Sequence, residues 1–274
     1  MNSVHRQRLS QFAFYGALAA AVLLAAWLRL PDLDLRPMHV DEAIQAARFG
    51  ELIEHGQFEY LPTDGHGPGL LYLTLPFAWA SGATTYGATS ETLLRGVTAV
   101  CGIGIVVLTF FAFRAWLGTV AAIVSGLIAA ASPMMGFYSR YYIMEVPLVL
   151  FLLLFILCVW RYLLSQKLAW LLAAGLCGAM MHATKETFGI SVVALVAAAG
   201  LVSLTILSLI TIRTYGEAGM ALWGLAWATF LLVVTTLVLL PGTAEVCSPA
   251  YQIAIRPGMR RDQPPSFLKR TFFA

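Results

Sequence analysis

Carboxylates are concentrated in one short stretch of the chain. Eight of the 14 Asp and Glu residues fall between Pro31 and Pro68, directly after the first long apolar run. Asp41 and Glu42 are adjacent there, and a positioned carboxylate can act as a general base on a hydroxyl group. By position alone the pair is more typical of a helix cap, because acidic residues are favourable in the first turn of a helix.

Two later segments carry charged groups of complementary chemistry. Residues 139–145 contain Arg140, Tyr141 and Glu145, and residues 184–187 contain Lys185 and Glu186. Arginine and lysine can neutralise an anionic leaving group such as a phosphate. Each signal also has an ordinary structural interpretation, namely interfacial anchors, loop ion pairs and an aromatic belt. The candidates for substrate contact are His39, His66, Tyr141 and Glu186, although the two histidines are of a type that is more often solvated.

Composition places the chain in a membrane. Hydrophobic residues make up 59% and charged residues 11%, with a mean hydropathy of +0.79, whereas soluble domains carry roughly 25% charged residues. The net charge of +3 is not gathered on a basic face interleaved with aromatics, so nucleic-acid binding is not indicated. The four cysteines show neither a disulfide framework nor a metal-type spacing.

The apolar runs predict an all-α integral membrane protein. Runs of about 18 residues or more are candidate spans. Seven are expected, at residues 12–30, 96–113, 119–138, 146–160, 168–181, 188–212 and 218–240. The apolar run at residues 70–82 is short and contains a proline, so we expect an interfacial helix there. Residues 41–55 have apolar positions at three-to-four spacing, which indicates an amphipathic helix.

The distribution of lysine and arginine predicts the orientation. Basic residues in the short loops favour a cytoplasmic N-terminus with an uncleaved first span. Residues 31–95, 139–145 and 184–187 then share the outer face, provided that residues 70–82 do not cross. The basic tail, residues 246–274, is expected to be irregular and opposes this orientation, because it would also lie outside.

The motifs carry a resemblance to a known family. Their order is His-x-Asp-Glu at 39–42, Gly-Pro-Gly-Leu-Leu-Tyr at 67–72, Ser-Arg-x4-Glu at 139–145 and Thr-Lys-Glu-Thr at 184–187. This order resembles the GT-C membrane glycosyltransferases, in particular the protein O-mannosyltransferase and aminoarabinose-transferase-like group. The resemblance covers roughly residues 12–240 and implies one transmembrane module over residues 1–245.

The resemblance implies roles for individual residues. Asp41 matches the catalytic aspartate of the first outer loop, with Glu42 beside it. Glu145 matches a second acidic position, where many relatives have aspartate, and Arg140 and Lys185 would contact the donor phosphate. Family members usually continue beyond the seventh span, so the resemblance also implies that this chain is C-terminally truncated.

These observations lead to one hypothesis and one alternative. The hypothesis is an inverting transfer of a sugar from a polyprenyl-phosphate donor to a lipid, glycan or protein acceptor, at the outer face of the cytoplasmic membrane. No cofactor is expected to be required, although carboxylates are of the type that binds divalent metals. The alternative is a non-catalytic transporter of lipid-linked saccharides or an assembly factor. Charges at span ends and the lack of internal repeats favour the enzyme.

Overall fold

The computed structural model describes residues 3–58, 66–216 and 223–232, and in this part the chain is helical. The helices are α1 (Ser3–Arg29), α2 (Val40–His55), α3 (Gly69–Ala80), α4 (Glu91–Leu117), α5 (Thr119–Ala131), α6 (Pro133–Ser139), α7 (Glu145–Ser165), α8 (Leu168–Thr184), α9 (Phe188–Tyr215) and α10 (Trp223–Leu232). The predicted all-α membrane fold class is confirmed.

Within the described ranges, four helical stretches are long and apolar enough to cross a membrane, namely Ser10–Arg29 of α1, α4, α7 and Phe188–Thr214 of α9. A fifth is obtained if α5 and α6 form one bent span. The predicted span at 168–181 corresponds to α8, which has 17 residues. The one predicted at 218–240 lies mostly outside the described residues. The count of seven therefore stays a prediction.

The run at residues 119–138 is predicted as one span, and the structure divides it between two helices. It breaks into α5 and α6, whose axes differ by 56°. Pro133 is the first residue of α6, and a proline lacks the N–H that would continue the preceding helix. The hydroxyl of Ser132 accepts a hydrogen bond from the N–H of Met135 and thereby caps the new helix.

The two predicted helices of the acidic loop are present. In α2, Ala46, Phe49 and Leu52 are buried against Leu70 and Leu71 of α3. Gly56 ends α2 in the left-handed region, with φ of 67°, where glycine has no steric penalty. The 12 residues of α3 are too few to span a bilayer, as expected for an interfacial helix.

The helices belong to two compact units, Met1–Gly189 and Ile190–Ala274. In the first unit, α1, α4 and α5 share a core that includes Phe14, Val106 and Phe110, and α7 packs against α8. In the second, Trp227 makes ring contacts with Trp223 and Phe230. The predicted single module over 1–245 stays a prediction, and the predicted tail lies outside the described residues.

The contact between α4 and α5 leaves no room for a side chain at Gly126. A Cβ added there would lie 2.0 Å from the ring of the buried Phe110. Gly126→Ala should therefore lower the thermal unfolding midpoint in detergent, at a cost of about 1–3 kcal/mol for overpacking. Gly16→Ala is the matched control, because a Cβ at that helical position meets nothing within 4 Å. Equal midpoints for the two variants would contradict the packing.

Candidate active site

The carboxylate of Glu42 is completely buried and is the centre of a polar network. Arg95 donates to both of its oxygens, from Nε to Oε1 at 2.8 Å and from Nη2 to Oε2 at 3.1 Å. The backbone N–H groups of Tyr142 and His39 donate at 2.9 and 3.0 Å. Arg36 Nη2 lies 3.3 Å from Oε1. Glu42 is thus the acceptor for four residues from three separate parts of the chain.

Arg95 extends this network toward the end of α1. Its Nη1 donates to the backbone carbonyls of Leu33 and Arg36 and to the carboxylate of Glu91. Sequence patterns did not identify Arg36 or Arg95 as site residues. The available signal was Arg95 itself, a cation four residues after Glu91 near the start of a long apolar helix, because a charge in such a helix needs a partner.

The charge of Glu42 is maintained despite its burial. Burial by itself would raise the pKa of Glu42, but the hydrogen bonds from Arg95 and from the backbone of His39 and Tyr142 lower it. The balance leaves the pKa below the ordinary value of a glutamate. Glu42 is therefore an ionised anchor in the folded protein.

Asp41 is exposed to solvent, unlike the buried Glu42 beside it. Its side chain is 71% exposed, and its Oδ2 lies 3.5 Å from Nδ1 of His39. His39 is the N-cap of α2, and its Nδ1 accepts a hydrogen bond from the backbone N–H of Asp41. The helix-cap interpretation thus applies to His39 and Glu42, which form a capping box. Asp41 is left with an accessible carboxylate at the start of α2.

Aromatic contacts surround the entry to α2. The ring of Tyr141 lies 6.4 Å from that of His39 and 4.8 Å from that of Phe137. The guanidinium carbon of Arg36 lies 3.3 Å from the centroid of the Tyr141 ring. The two predicted contact residues His39 and Tyr141 are therefore brought together.

Arg140 is attached to the end of α1. Its Nη1 donates to the carbonyl of Leu28 at 3.2 Å and its Nη2 to the carbonyl of Asp32 at 3.0 Å. The backbone carbonyl of Arg140 accepts from Arg36 Nη2 at 2.7 Å. These contacts fix the 139–145 segment against α1. The predicted contact of Arg140 with a donor phosphate stays a prediction.

A second polar cluster joins α7 and α8. Glu145, the first residue of α7, forms an ion pair with Lys185, which directly follows α8. Their side chains are 45% and 21% exposed. The backbone of Lys185 forms an antiparallel bridge with His66, whose Nδ1 is buried without a hydrogen-bond partner among the described residues. The predicted site residues Glu145 and Lys185 are thus in direct contact, whereas Glu186 is exposed to solvent.

Close backbone packing holds the His66 segment in place. A Cβ on Gly67 would lie 2.2 Å from the carbonyl oxygen of Ala183, and one on Gly69 would lie 2.7 Å from the hydroxyl of Thr184. Only glycine fits at these two positions. The Gly-Pro-Gly motif therefore allows the start of α3 to contact the end of α8.

The two clusters are linked through Tyr142. Its hydroxyl is 2.8 Å from that of Thr74 in α3, while its backbone N–H donates to Glu42. Burial raises the pKa of Tyr142, which keeps the hydroxyl protonated and able to share this hydrogen bond. Tyr142 thus connects the start of α2 to α3, which in turn contacts α8.

A metal centre is not formed by the described part of the chain. In those residues, no group of three or more His, Cys, Asp or Glu side chains is arranged to hold an ion. The chemistry available there consists of an exposed carboxylate, a buried anchor and several cations.

The comparison with known proteins gives one match. The family model of the dolichyl-phosphate-mannose-protein mannosyltransferases matches residues 74–223, which is more than half of the chain. The matched stretch includes Arg95, Arg140, Glu145 and Lys185 and begins after Asp41. No curated protein and no solved structure matches the chain significantly.

Loss of the Glu42 carboxylate should destabilise the protein strongly. Glu42→Gln leaves the buried Arg95 without its main counter-charge, which costs about 3–5 kcal/mol for a buried pair. Glu91→Gln is the matched control, because Glu91 also pairs with Arg95 but its side chain is 39% exposed, and exposed pairs contribute about 0–1 kcal/mol. Thermal unfolding in detergent measures both. Similar midpoints for the two variants would contradict the central role of Glu42.

Acidification should weaken the same network. A group whose pKa is lower in the folded protein contributes stability above its unfolded pKa and loses it as the pH falls through the folded pKa. For Glu42 the loss should therefore occur below 4.5, the ordinary value of a glutamate. Unfolding midpoints measured as a function of pH should fall more steeply in the wild type than in Glu42→Gln. Parallel pH profiles would exclude Glu42 as a source of the dependence.

Proposed function

The chain belongs to the dolichyl-phosphate-mannose-protein mannosyltransferase family, and on that premise we propose that it transfers a sugar from a polyprenyl-phosphate donor to an acceptor hydroxyl. Family membership makes the protein a membrane glycosyltransferase of the GT-C type. The donor, the mechanism and the residue roles are the proposal. The acceptor class, whether lipid, glycan or protein, is left open by the chemistry.

The observation that carries the proposal is the difference in solvent exposure between Asp41 and Glu42. Asp41 is exposed, and Glu42 next to it is completely buried and held by Arg95. Because they are consecutive residues of α2, the anchored side chain limits the movement of the exposed one. An exposed carboxylate on a rigid support is what a general base requires.

The proposed reaction is a single displacement with inversion at the anomeric carbon. Asp41 accepts the proton of the acceptor hydroxyl as its oxygen bonds to that carbon. The bond between the anomeric carbon and the phosphate oxygen breaks, and the polyprenyl phosphate leaves with the bonding electron pair. Negative charge grows on the phosphate in the transition state, where a cation stabilises it most.

The remaining predicted residues have supporting roles in the proposal. Lys185, oriented by Glu145, and Arg140 neutralise the leaving phosphate. His39 positions Asp41. The residues proposed to contact the substrates are His66, Tyr141 and Glu186. The apolar helix α3 forms the entrance for the lipid chain.

The proposed orientation of the chain in the membrane follows from the positive charges in its loops. We propose a cytoplasmic N-terminus in the cytoplasmic membrane, with Asp41 and Lys185 on the outer face. Arg114 at the last turn of α4 and Arg213 near the end of α9 are then cytoplasmic. This assignment agrees with the tendency of arginine and lysine to remain on the cytoplasmic side.

Replacement of the proposed base should abolish transfer. With the full chain reconstituted in phosphatidylcholine vesicles, Asp41→Asn should reduce transfer from polyprenyl-phosphate-linked radiolabelled mannose by about 100-fold or more, the usual contribution of a general base. The assay measures labelled product and released polyprenyl phosphate.

Asp34→Asn is the matched control, because it makes the same chemical change at an exposed position of the same loop. It should transfer at the wild-type rate, and both variants should keep the wild-type unfolding midpoint. Wild-type transfer by Asp41→Asn would exclude Asp41 as the base. Movement of the labelled lipid across the bilayer without its consumption would exclude the transferase reaction with this donor.

A further inference from the structure

Arg36 is a cation that is fixed in place but still has unused donors. Its Nη2 contacts Glu42 Oε1 at 3.3 Å and the carbonyl of Arg140 at 2.7 Å, and its guanidinium stacks on the ring of Tyr141. Among the described residues, its Nε and Nη1 groups have no hydrogen-bond partner. The side chain is 33% exposed, so these donors lie at the surface of the site.

Three other arginines of the first unit make different contacts. Arg95 has no exposed surface and donates to two carboxylates and two carbonyls. Arg29 is buried and donates to the carbonyls of Ala129 and Ala130. Arg140 donates to two carbonyls at the end of α1. Unlike the fully buried Arg95 and Arg29, Arg36 is partly exposed, and its Nε and Nη1 donors can meet a ligand.

Arg36 is also connected to the proposed base. The Tyr141 ring contacts both Arg36 and the ring of His39, and His39 Nδ1 lies 3.5 Å from Asp41 Oδ2. Arg95 already contacts both oxygens of Glu42, and the Nε and Nη1 donors of Arg36 remain available to a ligand. A planar guanidinium held at one edge presents its other donors in a fixed geometry, which suits the oxygens of a phosphate.

We infer that Arg36 is a further phosphate-binding residue of the site, which holds the phosphate group of the polyprenyl-phosphate substrate. The inference rests on the proposed function for the identity of the donor. Glu42, the carbonyl of Arg140 and the Tyr141 ring serve as its support. Because they fix the guanidinium before the ligand arrives, little conformational freedom is lost on binding.

Binding measured without turnover tests the inference. The full chain is placed in phosphatidylcholine nanodiscs, and dissociation constants are measured for polyprenyl monophosphate and for uncharged polyprenol. Arg36→Gln should weaken binding of polyprenyl monophosphate by about 10- to 100-fold, the range for lost hydrogen bonds to a charged group, and should leave polyprenol binding unchanged. Arg36→Lys, which keeps the charge but not the planar fork, should give an intermediate value.

Arg114→Gln is the matched control. Arg114 also stacks on an aromatic ring, that of Phe14 at 4.1 Å, but it lies in the last turn of α4. It should bind polyprenyl monophosphate as the wild type does. Tyr141→Leu removes the stacking support and keeps the Arg36 charge, so binding should weaken less than in Arg36→Gln. This second variant keeps the test valid if Arg36→Gln lowers the unfolding midpoint.

Inorganic phosphate and phosphatidylglycerol are measured as competing ligands. They show whether the phosphate group that Arg36 binds belongs to polyprenyl phosphate, to free phosphate or to a bilayer lipid. Arg36-dependent binding of polyprenyl monophosphate in preference to both supports the inference. An unchanged dissociation constant in Arg36→Gln, an equal loss for polyprenol, or equal binding of all three phosphates would overturn it. Failure of the Asp41 assignment is recognised separately, since Asp41→Asn is assayed by transfer whereas Arg36→Gln is assayed by binding.

Discussion

The buried ion pair of Glu42 and Arg95 is the interaction on which this end of the protein depends. Removing two charges from water is costly, and the cost is offset only when every oxygen and N–H finds a partner. Here Glu42 accepts from Arg95, from Arg36 and from the backbone of His39 and Tyr142. The pair therefore fixes the start of α2, the start of α4 and the 139–145 segment at the same time.

Two adjacent acids have different environments because a helix turns about 100° from one residue to the next. That rotation points Glu42 into the interior and leaves Asp41 in solvent. Glu42 supports the start of α2 from the interior of the protein. Asp41, the proposed base, is accessible and lies beside His39. The same arrangement supports Arg36, which is held by Glu42 on one side and by Tyr141 on the other.

The second cluster shows that short motifs can be fixed by packing as well as by charge. Gly67 and Gly69 allow the backbone before α3 to lie against the end of α8, and this contact sets the bridge between His66 and Lys185. The glycines were visible in the sequence only as a turn signal. Glycine is required at both positions because α8 lies beside them and leaves no space for a Cβ.

The sequence by itself determined the membrane class, the amphipathic helix α2, the short helix α3 and the family resemblance, because hydropathy, helical periodicity and motif order are local properties. It also singled out the ion-pair partners Glu145 and Lys185, although not their contact. Only the tertiary structure decided that α5 ends before Pro133 and that Arg36 and Arg95 both contact Glu42. The partners of Glu42 lie 53 and 100 residues away at Arg95 and Tyr142, and no local pattern specifies which of several cations a buried carboxylate will meet.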